Sequence, residues 1–145
     1  MTSVEERLKR LEDVREIHQL FVDYGAHLDA GRFDEYAALF SEEGEISLGP
    51  MGHAKGREAI KELMAGTLAG RVGSSFHIIS SPIVQVIGDG ATSEVMWSVI
   101  NRDADGQARL SMCGRHRDRL VREDGRWRFA HRRGFIDIPS AYPES

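Results

Sequence analysis

The sequence predicts an α+β fold in which helices cover one side of a curved, mostly antiparallel sheet. Apolar residues recur at helical spacing through the first half of the chain. From residue 75 the text changes to β-branched and aromatic residues in alternation, broken by three short glycine-bearing turns. Helices first and strands afterwards is the α+β layout.

The elements follow in order. Leu8, Leu11, Val14, Ile17, Leu20, Phe21, Tyr24 and Leu28 form one helical stripe across residues 4–30, with Gly31 as its stop. "FDEYAALF" reads as a second, short helix with Asp34 as its N-cap. "SEEGEISLGPMGHAKG" reads as strand or loop, and "GREAIKELMAGTL" as a third helix ended by Gly70 or Gly73. Gly88-Asp89-Gly90, Asp103-Ala104-Asp105-Gly106 and Glu123-Asp124-Gly125 then separate strands closely enough to make hairpins, so the second half is an antiparallel meander. The tail "PSAYPES" reads as extended.

Alternation assigns faces on the last two strands. Leu110, Met112, Gly114, His116, Asp118 and Leu120 share one side of the penultimate strand. On the last strand Trp127, Phe129, His131 and Arg133 share a side, and the two aromatics mark it as buried. His131 is therefore expected to point towards the interior or a cavity mouth, with His116. Arg133 shares that side, with surface pairing as its alternative to orienting an anionic or carbonyl group, and all three are candidate substrate-binding groups.

Composition narrows the function. At 145 residues the chain is one domain, residues 1–145, long enough for a single core. A net charge of −4 argues against nucleic acid as a partner, and the basic residues of 102–133 are interleaved with Asp118, Glu123 and Asp124, the pattern of solvated strand faces. No apolar run approaches the ~18 residues of a membrane span, and the charged start "MTSVEERLKRLEDV" is no signal peptide. The single Cys113 excludes an internal disulfide and suits a reducing cytoplasm. Glycine-rich phosphate loops, H-E-x-x-H and Cys/His zinc spacings and the G-x-S-x-G elbow are all missing, so no cofactor and no metal are expected.

Asp29 and His77 stand out chemically. Asp29 sits at the end of the first helix, and His77 lies in the apolar run "SSFHIIS", where a histidine needs a hydrogen-bond partner. A carboxylate on one ring nitrogen fixes the tautomer and leaves the other nitrogen as a general base. The alternatives are a helix-ending aspartate and a structural histidine. Tyr24 falls on the helical stripe, where core packing and a pocket hydroxyl are both compatible with its position. His27 lies on the other side of the helix and reads as solvent-facing.

"IHQLFVDYGAHLDAGRFDEYAALFSEEGEI", "KGREAIKELM" and "GRHRDRLVREDGRWRFAHRRG" resemble, over essentially the whole chain, the SnoaL-like proteins of the nuclear transport factor 2-like superfamily. The resemblance implies a cone of long N-terminal helix and strongly curved sheet around one apolar pocket. "Hydrophobic-Asp-x-Gly-x-Phe" with a lone histidine about fifty residues on resembles the branch of scytalone dehydratase, bile acid 7α-dehydratase and hexachlorocyclohexane dehydrochlorinase. In that branch an Asp-His dyad performs elimination; Asp29 and His77 match the dyad and Tyr24 matches a catalytic tyrosine. The implied activity is a dehydratase-type lyase on a small apolar cyclic or aromatic substrate, forming a homo-oligomer (dimer or trimer). A cyclase- or isomerase-type proton shuttle and a non-catalytic domain like the small subunit of a ring-hydroxylating oxygenase share the fold and stand as alternatives.

Overall fold

A capping box opens the first helix, α1 (Val4–Ala30): Glu6 N–H donates to Ser3 Oγ (3.1 Å) and Ser3 N–H to the Glu6 carboxylate (3.3 Å). Gly31 closes it at φ 71°, a left-handed cap that a glycine adopts without a Cβ penalty, as its sequence position predicts. The computed structural model describes residues 2–139, so Met1 and most of the expected extended tail, Ser140–Ser145, lie outside the described residues. The apolar stripe of α1 is buried from Ile17 to Leu28, whereas Leu8 and Leu11 are exposed. The first helical turns extend past the core.

The second helix, α2 (Phe33–Ala37), is shorter than expected, and Asp34 does not cap it. Arg32 holds the cap position without a side-chain bond, and Asp34 pairs instead with Lys61 Nζ (2.7 Å). Strand β1 (Phe40–Ser47), a 3-10 turn (Gly49–Met51) and strand β2 (His53–Lys55) follow. Helix α3 (Arg57–Thr67) stops before Gly70 and Gly73, and both glycines lie at positive φ in the connection to β3. Strands β3 (Ser75–Ile87), β4 (Gly90–Arg102), β5 (Ala108–Glu123) and β6 (Arg126–Ile138) meet at the three turns read from the sequence.

The sheet runs β2-β1-β6-β5-β4-β3, antiparallel throughout except for the parallel β1–β6 pair, and open at β2 and β3. α1 crosses its inner face, and the core lies between: Phe21, Tyr24 and Leu28 of α1 pack with Phe40, Ile46, Val95, Leu120, Trp127 and Phe129 of the strands. Among the described residues, no helix is long and apolar enough to cross a membrane.

One-residue slips in register between Ser80 and Ile83, Val99 and Ile100, Cys113 and Gly114, and Arg119 and Leu120 give the sheet its curl. Each slip inserts an unpaired residue that bends its strand and increases the local twist. At Gly114 the bend is tight: a Cβ there would lie 1.8 Å from the Phe135 carbonyl oxygen and 2.9 Å from the Trp97 ring.

The same slips correct two face assignments, because one extra residue reverses the alternation beyond it. Ser111 is the extra residue opposite Val99 and Ile100, so Leu110 turns outwards and is 59% exposed while Met112 stays on the inner side. Ala130 is the extra residue opposite Arg119 and Leu120. Beyond it His131 and Arg133 point to the outer face, and the fully buried residue is Arg132. The expectation that His131 and Arg133 line the interior is therefore wrong, and so is the reading of every basic residue in 102–133 as solvated.

Candidate active site

β3 is an edge strand, paired with β4 on one side only. Its other edge meets α1, and the approach is close because position 25 is glycine. A Cβ on Gly25 would already touch His77 Cβ at 3.4 Å and Ile79 at 3.6 Å. Asp29 is four residues further along α1, on the same helical face. Its carboxylate accepts the His77 backbone N–H (3.1 and 3.2 Å to the two oxygens) and bonds the ring Nδ1 at 2.7 Å. Both side chains are largely buried, each 17% exposed.

This arrangement separates the two readings of Asp29. The cap bonds at the end of α1 run from backbone N–H groups to the His27 and Leu28 carbonyls, so the Asp29 side chain has no part in them. A carboxylate in the last turn of a helix faces the negative end of the helix dipole, and the two donors from His77 offset that disadvantage. Because the carboxylate is an acceptor, Nδ1 carries the ring proton and Nε2 is the basic nitrogen.

Tyr24, on the adjoining face of α1, is 2% exposed. Its ring centre lies 4.9 Å from that of Tyr36 and 5.2 Å from that of His116, which it meets edge-on. Burial pushes the Tyr24 phenol up, with the Arg132 guanidinium pulling the other way, so Tyr24 is a neutral hydroxyl at neutral pH. His116 faces inwards as its alternation predicts, between Tyr24 and Trp97, and its Nδ1 is buried without a hydrogen-bond partner among the described residues. Burial, then the charges of Arg132 and His77, hold His116 well below the usual histidine range, so its ring is neutral. Gly134, directly opposite on β6, leaves room beside that ring: a Cβ there would come within 3.4 Å of His116 Cδ2 and 2.8 Å of Leu48.

Beneath Tyr24 and His116 lies a charged group that alternation alone did not reveal. Arg132 Nε sits 3.0 Å from Asp118 Oδ1 with both side chains fully buried, and Ser93 Oγ donates to Asp118 Oδ2 at 2.8 Å. The guanidinium carbon stacks 4.2 Å from the Tyr24 ring centre and 4.3 Å from that of Phe129. One signal was available: Asp118 falls on the inner side of β5, and a buried carboxylate requires a cation at a paired position. Of the remaining residues, His27 accepts from Arg32 Nε (3.1 Å) on the surface, and His131 bonds Ser47 Oγ (2.9 Å) on the outer face. Among the described residues, no group of three or more His, Cys, Asp or Glu converges to hold a metal ion.

Residues 9–133 match the family model of the SnoaL-like domain. The chain belongs to the SnoaL-like family. An uncharacterised protein of Mycobacterium tuberculosis is 32% identical to it over 91% of this chain and 88% of its own. A nuclear transport factor 2-like protein of Novosphingobium aromaticivorans with a cystatin-like fold superposes with a TM-score of 0.88 at 29% identity, over 97% of this chain and 94% of that one. A protein of the same organism provisionally assigned as a scytalone dehydratase superposes at 0.76 with 28% identity, over 94% and 91%. The SnoaL-like domain described above thus has the cone-type α+β architecture of its relatives.

Proposed function

We propose that this SnoaL-like domain is a dehydratase-type lyase acting on a small, largely apolar cyclic or aromatic compound with a hydroxyl β to an acidic C–H. The observation that carries the reading is the 2.7 Å Asp29–His77 bond, made by a carboxylate that also holds the His77 backbone N–H. Two bonds from one carboxylate fix both ring and backbone, the orientation a general base needs.

In this reading His77 Nε2 takes the proton from the carbon next to a carbonyl. The C–H electron pair moves onto the carbonyl oxygen, and Tyr24 or His116, both neutral, donates a hydrogen bond to the resulting enolate. The enolate re-forms its carbonyl, a carbon–carbon double bond forms, and the β-hydroxyl leaves with the proton that His77 carried, as water. A positioned base contributes about 10²–10⁴-fold, enough for a proton already activated by a carbonyl. The similarity to the provisionally assigned scytalone dehydratase supports elimination over other uses of the fold.

The test is turnover. Cyclic and aromatic β-hydroxy ketones are screened for loss of water by mass detection, and hits are repeated with His77→Ala and Asp29→Asn. Each variant should lose about 10²-fold or more in kcat while keeping its circular dichroism spectrum and thermal midpoint. Wild-type turnover in a folded variant excludes the mechanism.

We also propose self-association through the apolar end of the outer sheet face. Phe76 (69% exposed), Ile78, Met96, Leu110 and Ile138 share that end, a larger apolar group than a monomer surface needs.

A further inference from the structure

The other end of the outer sheet face is charged in an unusual pattern. The β5–β6 register sets Arg117 directly opposite Arg133, with Arg119 opposite His131 in the next row. Like charges directly opposite on neighbouring strands repel, so the pairing costs the free protein stability. Arg117 Nε is engaged by Glu94 at 2.9 Å. Arg119 and Arg133 are exposed and make no ion pair among the described residues. The curl of the sheet gathers these side chains into a groove of about 410 Å³, which Gln85, Thr92 and the Arg117-bound Glu94 also line. His131, tied to Ser47, forms part of its wall.

We propose that this groove binds a small oxyanion of the phosphate class, free or as the phosphoryl group of a small molecule. Guanidinium groups from two strands offer forked N–H donors suited to a tetrahedral oxyanion, and the Thr92 hydroxyl and Gln85 amide add neutral donors at its edge. A bound dianion turns the Arg117–Arg133 repulsion into shared attraction. The volume falls within the range of small-molecule sites and exceeds a bare phosphate. The groove lies on the face of the sheet opposite Asp29 and His77, so its occupation is independent of the proposed elimination.

The full chain is titrated with inorganic phosphate and, separately, with phenyl phosphate, with ionic strength held constant by sodium chloride. Arginine Nε–Hε and histidine signals are followed by NMR. Saturable shifts of the Arg119 and Arg133 signals are expected, with affinity falling about tenfold or more in Arg133→Gln, the effect of losing a charge-assisted bond. Equal affinity for the two probes identifies free phosphate as the ligand, and tighter binding of phenyl phosphate identifies a phosphorylated small molecule. Without ligand, Arg133→Gln should be at least as thermally stable as the wild type, because it removes a like-charge neighbour. Linear drift matching that of chloride alone, unchanged affinity in Arg133→Gln, shifts confined to His77, or a clear fall in the thermal midpoint of the unliganded variant each overturn the proposal.

Discussion

Asp118→Asn isolates the buried ion pair beneath the candidate site. The substitution preserves shape and leaves an oxygen for Ser93, yet removes the only counter-charge that Arg132 has within reach among the described residues. At 3.0 Å and an effective dielectric constant near 20, the lost attraction is about 5–6 kcal/mol. Removing one partner of a buried pair costs about 3–5 kcal/mol, because the other charge stays desolvated. For a chain of 145 residues about 1 kcal/mol corresponds to roughly 3 °C, so the midpoint should fall by about 10–15 °C. Urea unfolding followed by tryptophan fluorescence measures the loss directly, since Trp97 and Trp127 are both buried. The double variant Asp118→Leu/Arg132→Met, which removes both charges, should recover most of the loss. A loss below about 1 kcal/mol in Asp118→Asn would refute the reasoning, because Arg132 would then have water or another partner in the folded state.

His116 makes stability depend on pH. Its folded pKa is depressed, first by burial and then by Arg132 and His77, so it stays neutral in the fold while the unfolded chain takes up a proton near pH 6.5. Its contribution is therefore complete above about pH 6.5 and is lost as the pH falls towards the folded value, at up to about 1.4 kcal/mol per pH unit. Urea midpoints from pH 7.5 to 5 should decline less steeply in His116→Gln than in the wild type, and parallel curves would count against a buried neutral ring. For the outer face, Phe76→Glu places a charge in the apolar group and should shift the chain to a smaller species in light scattering; an unchanged mass would move the self-association elsewhere.

The pattern of helices and turns was legible because each rests on local chemistry: the Gly31 stop, the stripe from Ile17 to Leu28, and the three glycine turns between long strands. The Asp29–His77 pairing was legible as a need, since a histidine in an apolar strand must find a partner, but its geometry depends on Gly25 admitting α1 to the edge of β3. What strict alternation could not predict was phase. Each slipped register reverses the faces of everything beyond it, and no residue type marks Ser111 or Ala130 as the extra one. Leu110, His131 and Arg133 were assigned to the wrong side for that one reason. Asp34 failed differently: α2 begins at Phe33 with Arg32 at the cap position, so Asp34 lies inside the first turn and pairs with Lys61 instead of capping.

The extra residue at Ala130 has a genetic consequence. The codons for His131, Arg132 and Arg133 are consecutive, and the register with β5 decides which of the three side chains is enclosed. Losing the Ala130 codon would restore plain alternation, with Leu120–Phe129, Arg119–His131 and Asp118–Arg132 still paired, so Arg132 would stay enclosed and His131 outside. A single in-frame deletion there would thus keep the interior cation opposite Asp118 and remove only the local bend of the strand. Within this architecture, the bulge lets β6 carry one residue more than β5 across this stretch while keeping Arg132 opposite Asp118.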